Sequence, residues 1–299
     1  MTAMRTALAA LLFSFSSAAW AQLPDADGPE DTKAPAPPAQ QAPAAPAPGP
    51  PCAQRLPTLR TPLAFAPGEE LEFDLDAMGA TAGKMVMSVQ KKQDGSLPVQ
   101  IKVQTNSFFS KVRRVNATAM SYMHPKTLRP SRYTEEATEN EQHRTVDVAF
   151  NSKDRSVRID YVVKGKPGRS NQSYEHEGMD VAGAIYMMRQ LPLKEGLPVC
   201  FDVYGVRRMW RMTGTVVKRE HVSLPLGEFD AWHLEGTAVR LDNPKMKREV
   251  HVWITDDDRR LPLAAVGTID LGAVRATLTS YSRPGEKAKQ AQGKEQLKW

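Results

Sequence analysis

A dense run of charge, VWITDDDRRLPL, occupies residues 252–263. Its three consecutive carboxylates, residues 256–258, could bind a cation or transfer protons. A calcium loop would need further oxygen ligands at a recognisable spacing, and the neighbouring residues do not supply them. Aspartates also hydrogen-bond to the backbone of turns, and Arg259 and Arg260 can neutralise them. The pattern therefore favours the turn of a hairpin.

Other residues that commonly do chemistry are scattered. The six histidines form no H-x-x-H or H-E-x-x-H pattern, and only His176 has carboxylates on both sides. G-x-S-x-G, P-loop and G-x-G-x-x-G patterns do not occur. The sequence therefore predicts no catalytic residue, cofactor or metal site, and favours a protein that is not an enzyme. A Ser-His-Asp set assembled only on folding stays an open alternative.

The two cysteines, Cys52 and Cys200, are 148 positions apart and lie in neither a C-x-x-C motif nor a zinc-type spacing. We predict that they form an intramolecular disulfide, which would fix the N-terminal segment to the folded domain. Two free thiols, or an intermolecular bond through Cys52, are the alternatives.

The first 21 residues resemble a secretory signal peptide. Arg5 precedes a short apolar run, and Ala19-Trp20-Ala21 is a cleavage pattern. The run is shorter than the roughly 20 residues that a membrane-spanning helix needs, and no later stretch is long enough either. We therefore expect export to the periplasm or beyond and no transmembrane span after cleavage, with an uncleaved anchor as the alternative.

Composition divides the rest into three segments. Residues 22–58 consist mostly of Ala, Pro, Gln and Gly, which predicts a disordered, extended tether. Residues 59–284 form one β-rich domain, and residues 285–299 are a polar tail. The net charge of +6 is mild and suits an anionic surface such as lipid headgroups or polysaccharide, or simply a solvated one. Export argues against a nucleic-acid partner.

The domain's dominant period is two. Leu71, Phe73 and Leu75 alternate with acidic residues, and Met85 and Met87 continue the pattern before a Q-D-G-S hairpin signal. About twelve short strands follow one another without β-α-β alternation, which predicts a curved antiparallel sheet or an open β-barrel.

One segment, residues 180–191, has helical spacing instead. Asp180 can cap its start, and Pro192 stops it. The fold class predicted is therefore mainly β, with one helix packed in or against the sheet.

Several separated blocks carry a family resemblance. In order they read FAPGEELEFDLDAMGATAGKMVMSV, FFSKVRRVNATAMSYMHPKTLRPSRY, DVAGAIYMMRQLPLKEG and VWITDDDRRLPL, and together they span residues 65–281. The sequence resembles the bacterial exported family known as domain of unknown function 3108. This resemblance implies a secreted or periplasmic antiparallel β domain with no assigned reaction. A looser likeness, at the level of fold, is to periplasmic lipoprotein carriers that hold acyl chains.

These observations favour a non-enzymatic module that binds a lipid, a lipoprotein acyl chain or another amphiphile. Arg113 and Arg114 are the candidates for contacts with an anionic headgroup. The candidates for lining an apolar cavity are Met85, Met87, Phe108, Phe109, Ile185 and Met188. The alternatives are an envelope-assembly protein that binds a protein or polysaccharide, and a hydrolase of envelope polymers. The oligomeric state stays open.

Overall fold

The computed structural model describes residue 52 and residues 58–77, 79–111, 113–205, 208–269, 272–286 and 288–291. The predicted signal peptide, nearly all of the predicted tether and the end of the predicted tail lie outside these residues.

Sixteen strands and one α-helix make up the described part of the chain. In order they are β1 (Glu70–Ala77), β2 (Ala80–Val89), β3 (Leu97–Thr105), β4 (Val115–Met123), β5 (Pro130–Glu139), β6 (Gln142–Asn151), β7 (Ser156–Val163), β8 (Lys166–Ser173), β9 (Gly178–Asp180), α1 (Val181–Met188), β10 (Pro198–Gly205), β11 (Arg208–Leu224), β12 (Gly227–Arg240), β13 (Asn243–Thr255), β14 (Pro262–Ile269), β15 (Gly272–Ser282) and β16 (Lys289–Gln290). A single 3-10 turn, Phe109–Lys111, lies between β3 and β4.

All strands belong to one curved sheet. The order runs from β8 back to β1, then from β15 back to β9, and β16 adds to β15. Every pair is antiparallel except β9 with β10, whose parallel arrangement is connected through α1. The prediction of a mainly antiparallel, open sheet with one helix is confirmed. The strand count exceeds the prediction because β8, β9 and β16 are short or lack an alternating apolar pattern.

The sheet's core face follows from the alternation in the sequence. Strand register places Leu71, Met87, Ile101 and Ala119 in one row across four strands, and each is at most 2% exposed. Burying a leucine, isoleucine or methionine side chain contributes about 1.5–3 kcal/mol, so rows of this kind hold the curved sheet around its interior.

The helix α1 lies against this core. Asp180 caps it by accepting a hydrogen bond from the backbone of Gly183, as predicted. It ends three residues earlier than predicted, because Gln190 and Leu191 donate to carbonyls only three residues back, in a tighter turn before Pro192. Tyr186 is fully buried and packs edge-on against Phe65 at 4.5 Å between ring centroids.

The two edge strands of the sheet path, β8 and β9, do not pair with each other. Side chains instead join the two edge regions: Gln172 of β8 accepts from the backbone of Met209 at 3.1 Å. Arg129, in the turn before β5, forms a bidentate ion pair with Glu177 just before β9. We refer to this boundary, closed by side chains and not by a strand ladder, as the seam.

Candidate functional site

Most of the predicted cavity candidates lie in the core. Met85, Met87, Phe109 and Met188 are buried, and Ile185 is partly buried against them. The structure therefore places Met85, Met87 and Met188 in one hydrophobic cluster with Ile185 packed against it, and it buries Phe109 outside that cluster. Three shallow grooves on the molecule are lined by other residues, mainly polar ones of β4–β8 and β11–β13.

Phe108 differs from the other candidates because it is 68% exposed to solvent. The loop turns at Asn106, whose side chain accepts from the backbone of Phe109, so only one of the two consecutive rings reaches the core. The exposed ring contacts Phe109 edge-on, with 5.5 Å between centroids. Phe108 is therefore an exposed aromatic side chain and not part of the interior lining.

The two arginines proposed for headgroup contacts follow this loop. Arg113 is half-buried and forms an ion pair with Glu139, which already neutralises its charge. Arg114 is exposed, and its backbone N–H donates to the side chain of Asn140 at 2.9 Å. Arg114 is therefore the better placed of the two to meet an anion from solvent.

Cys52 and Cys200 form a disulfide, with 5.3 Å between their Cα atoms, as predicted. Cys200 lies in β10, so the bond fixes the N-terminal segment to a strand beside α1. The imidazole of His176 lies within 4.8 Å of both sulfur atoms. Because the sulfurs are bonded to each other, they are not thiolate ligands for a metal.

The acidic run is the turn between β13 and β14, as the sequence predicted. Asp257 accepts hydrogen bonds from the hydroxyl of Thr255 at 2.7 Å and from the backbone of Arg259 at 3.0 Å. The exposed Asp258 pairs with Arg60 at 3.0 Å. These carboxylates organise a turn and bring a neighbouring loop against it.

A fully buried ion pair joins the end of α1 to the start of β1. Arg189 donates to both carboxylate oxygens of Glu69, at 2.5 and 3.0 Å, and neither residue is exposed to solvent. Its remaining donors bind the backbone carbonyls of Arg259 and Arg260 at 3.0 and 2.9 Å. One guanidinium thus ties three segments together. Sequence analysis missed this pair. The one sign of it in the sequence is that the charged Arg189 directly follows the apolar Met187-Met188.

The other end of α1 also holds a buried charge. Asp180 is fully buried and accepts from the hydroxyl of Ser121 at 2.6 Å and from Gly183 at 2.8 Å. Burial raises the pKa of this carboxyl from 3.8 to about 6, although its hydrogen bonds act in the opposite direction. Ser121 lies in β4, so this contact ties the start of α1 to an interior strand of the sheet.

No α-helix among the described residues is both long and apolar enough to cross a membrane.

Solved structures with a similar fold come from several bacteria. A beta-barrel-like protein of domain of unknown function DUF1849 from Brucella abortus has a TM-score of 0.51 and 9% identity, covering 73% of this chain and 98% of that one. A predicted exported protein with a YmcC-like fold from Bacteroides fragilis has a TM-score of 0.30 and 9% identity, covering 78% and 100%. A predicted lipoprotein from Parabacteroides distasonis has a TM-score of 0.29 and 10% identity, covering 72% and 96%. At these identities, the first likeness supports the fold alone.

No curated protein matches the chain. A family model does match, over residues 72–279, and its description is "Protein of unknown function (DUF3108)". The match covers more than half of the 299 residues and contains β2–β14 in full. With its curved, barrel-like sheet around one helix, this chain belongs to the DUF3108 family.

Proposed function

We propose that this chain is an exported, periplasmic module that binds a lipid or another amphiphile and works without catalysis. Export is supported by the signal-like residues 1–21 and, independently, by the disulfide between Cys52 and Cys200. Structural disulfides persist mainly in oxidising compartments outside the cytoplasm.

The observation that carries the binding proposal is the methionine content of the core. Seven of the thirteen methionines are buried in one cluster with α1, and none of these seven is more than 9% exposed. They are Met85, Met87, Met123, Met179, Met187, Met188 and Met209. The methionine side chain is unbranched and polarizable, so it repacks around apolar groups of different shape at low cost.

In this proposal an acyl chain enters beside α1 and replaces part of the helix's contacts with the concave face. Tyr186 and Met187 are buried there, so the helix has to shift for the ligand to be accommodated. Each methylene of the ligand that leaves water contributes about 0.8 kcal/mol, which offsets the contacts that the helix gives up.

The test is native mass spectrometry of the protein purified from its own periplasm. Matched variants are Ile185→Gln, on α1 against the core, and Val217→Gln, an exposed aliphatic residue of β11. We expect co-purified lipid with the wild type and Val217→Gln, and much less with Ile185→Gln. A wild-type protein that carries no lipid, and does not bind a fluorescent fatty acid, would contradict the proposal.

A second function, docking to an envelope protein, is favoured by the exposed ring of Phe108. Lys111 and Arg114 are exposed on the same loop, so a partner with an acidic rim around an apolar pocket would fit. Crosslinking in cells with Phe108→Ser, with Val217→Ser as the control, tests this idea. Unchanged crosslinks in Phe108→Ser would argue against it.

A further inference from the structure

We propose that Glu235, Glu249 and His251 bind a divalent transition-metal ion of the zinc class on the face of β12 and β13. This site goes beyond the lipid-binding proposal and does not depend on it. Sequence analysis predicted no metal site because the ligands come from two strands, and no local spacing motif connects them.

Strand register brings the three side chains together. Glu235 of β12 lies directly opposite His251 of β13, and Glu249 lies two residues before His251 on the same face. One ligand atom from each residue lies within 4.8 Å of the other two. The sheet therefore positions one imidazole and two carboxylates without help from a flexible loop.

The distances suit tetrahedral coordination. Nε2 of His251 lies 3.3 Å from Oε1 of Glu249. In a tetrahedral zinc site with bonds of about 2.1 Å, neighbouring ligand atoms are about 3.4 Å apart. A zinc ion would thus bind both atoms with little movement, and the exposed carboxylate of Glu235 would have to move closer to complete the site.

Neighbouring side chains determine which nitrogen of His251 is free. Nδ1 of His251 lies 3.0 Å from Nε2 of His233, so one of these two nitrogens carries the shared proton. Oε1 of Glu220 lies 3.5 Å from Nδ1 of His233 and is held by the indole N–H of Trp253 at 2.7 Å. This negative charge favours a proton on Nδ1 of His233, which makes Nε2 of His233 an acceptor.

His251 then donates from Nδ1 to His233, and its Nε2 presents a lone pair towards Glu249. The lone pair and the carboxylate oxygen are thus two electron-pair donors directed towards one point, as the ligands of a metal ion are. A metal-binding histidine typically donates its other N–H to a neighbouring acceptor, which fixes the ring. Here the acceptor is His233, which is itself stacked on Trp253, with 4.5 Å between ring centroids and 5° between ring planes.

The donor set indicates the class of metal. Calcium and magnesium prefer oxygen ligands alone, whereas imidazole together with carboxylate suits zinc and its neighbours. Glu235 and Glu249 also line an open groove of about 510 Å³ with Thr213, Thr215 and Thr237. The fourth coordination position would therefore face solvent.

The experiment is isothermal titration of the metal-stripped mature protein with zinc chloride, and with calcium chloride in parallel. We expect zinc to bind and calcium not to bind. His251→Ala and the isosteric Glu249→Gln should each weaken zinc binding by at least about tenfold. A wild-type protein that does not bind zinc, or a smaller loss in His251→Ala, would overturn the proposal.

A matched control is His221→Ala. His221 also lies between two carboxylates, Glu228 at 2.9 Å and Asp230 at 3.2 Å, but each uses a different ring nitrogen. Among the described residues no group of three ligand atoms converges at His221, so this variant should bind zinc like the wild type. An equal loss in both histidine variants would show that the binding is unspecific and would overturn the assignment.

His233 is a positioning residue in this scheme. His233→Gln keeps an acceptor oxygen for Nδ1–H of His251, whereas His233→Leu does not. We expect zinc affinity to fall about 10–100-fold in His233→Leu and to be largely restored in His233→Gln. Equal affinities in these two variants would exclude the role of the hydrogen bond.

Discussion

The buried ion pair at the end of α1 allows a quantitative test of what holds the helix in the sheet. Arg189→Met keeps a long side chain of similar volume but removes the charge. Glu69 is then left ionised without its hydrogen-bonded partner and keeps only the more distant guanidinium of Arg283, at 3.9 Å. Both Glu69 and Arg189 are fully buried in the native protein. The backbone carbonyls of Arg259 and Arg260 also lose their donor.

Breaking a buried pair by removing one partner costs about 3–5 kcal/mol, because the remaining charge is uncompensated. The orphaned carbonyls fall within the same network and are not additive with that figure. We therefore expect Arg189→Met to lower the free energy of unfolding by about 4 kcal/mol. Domains are commonly stable by only about 5–15 kcal/mol, so this is a large fraction of the total.

The assay is urea unfolding followed by tryptophan fluorescence. The control is Arg132→Met, which removes a bidentate pair with Asp147 on the protein surface. Both of those side chains are about half exposed, at 55% and 46%, so we expect a loss of at most about 1 kcal/mol. Glu69→Gln added to Arg189→Met should recover stability, because it neutralises the stranded carboxylate. The reasoning is wrong if Arg189→Met lowers the free energy of unfolding no more than Arg132→Met does. It is also wrong if Glu69→Gln lowers the stability of the Arg189→Met protein as much as it lowers that of the wild type.

Three further predictions concern other contacts. Burial raises the pKa of Asp180 from 3.8 to about 6, so the folded state holds this proton more tightly than the unfolded state does. The resulting contribution to the free energy of unfolding is fully present below about pH 4 and is lost as the pH rises to about 6. This pKa difference corresponds to about 3 kcal/mol. In urea unfolding between pH 4 and 7, the wild type should therefore lose about 3 kcal/mol of unfolding free energy relative to Asp180→Asn. The same pH dependence of stability in both proteins would contradict the assignment. Cys52→Ser should lower the free energy of unfolding by about 2–4 kcal/mol, because it removes the disulfide. Dithiothreitol should lower the melting temperature of the wild type and leave that of the variant unchanged. Gly214→Val should lower the free energy of unfolding by about 1–3 kcal/mol, because a Cβ there would lie 3.0 Å from the Cα of Gly236 on β12. A melting curve followed by circular dichroism that matches the wild type would disprove this.

The features that the sequence could predict are those with a local pattern. Leu71, Phe73 and Leu75 alternate with charged residues and lie in the core as expected. The cap at Asp180 and the turn around Asp257 were also predicted, because capping and turn chemistry involve residues a few positions apart.

The features that could not be predicted depend on pairing between distant strands. Glu69 and Arg189 are 120 positions apart, and only the folded sheet brings them together. The β8 strand carries no apolar alternation because it is an edge strand with exposed or half-exposed residues throughout, so the sequence indicates a turn there. Phe108 and Phe109 have the same residue type, and the direction of each ring depends on the capping contact at Asn106.

The contacts at the two ends of α1 differ in strength, and this difference bears on how a ligand could enter. At the C-terminal end, Arg189 and Glu69 are joined by a pair whose disruption costs about 3–5 kcal/mol. At the N-terminal end, Asp180 makes a cap and one bond to Ser121, and an N-cap contributes only about 1 kcal/mol. The preceding strand, β9, pairs with β10 alone over three residues. The disulfide at Cys200 keeps β10 itself in place. An amphiphile that enters beside α1 would therefore separate the helix first at its N-terminal end, along the seam, while the buried arginine keeps the other end attached.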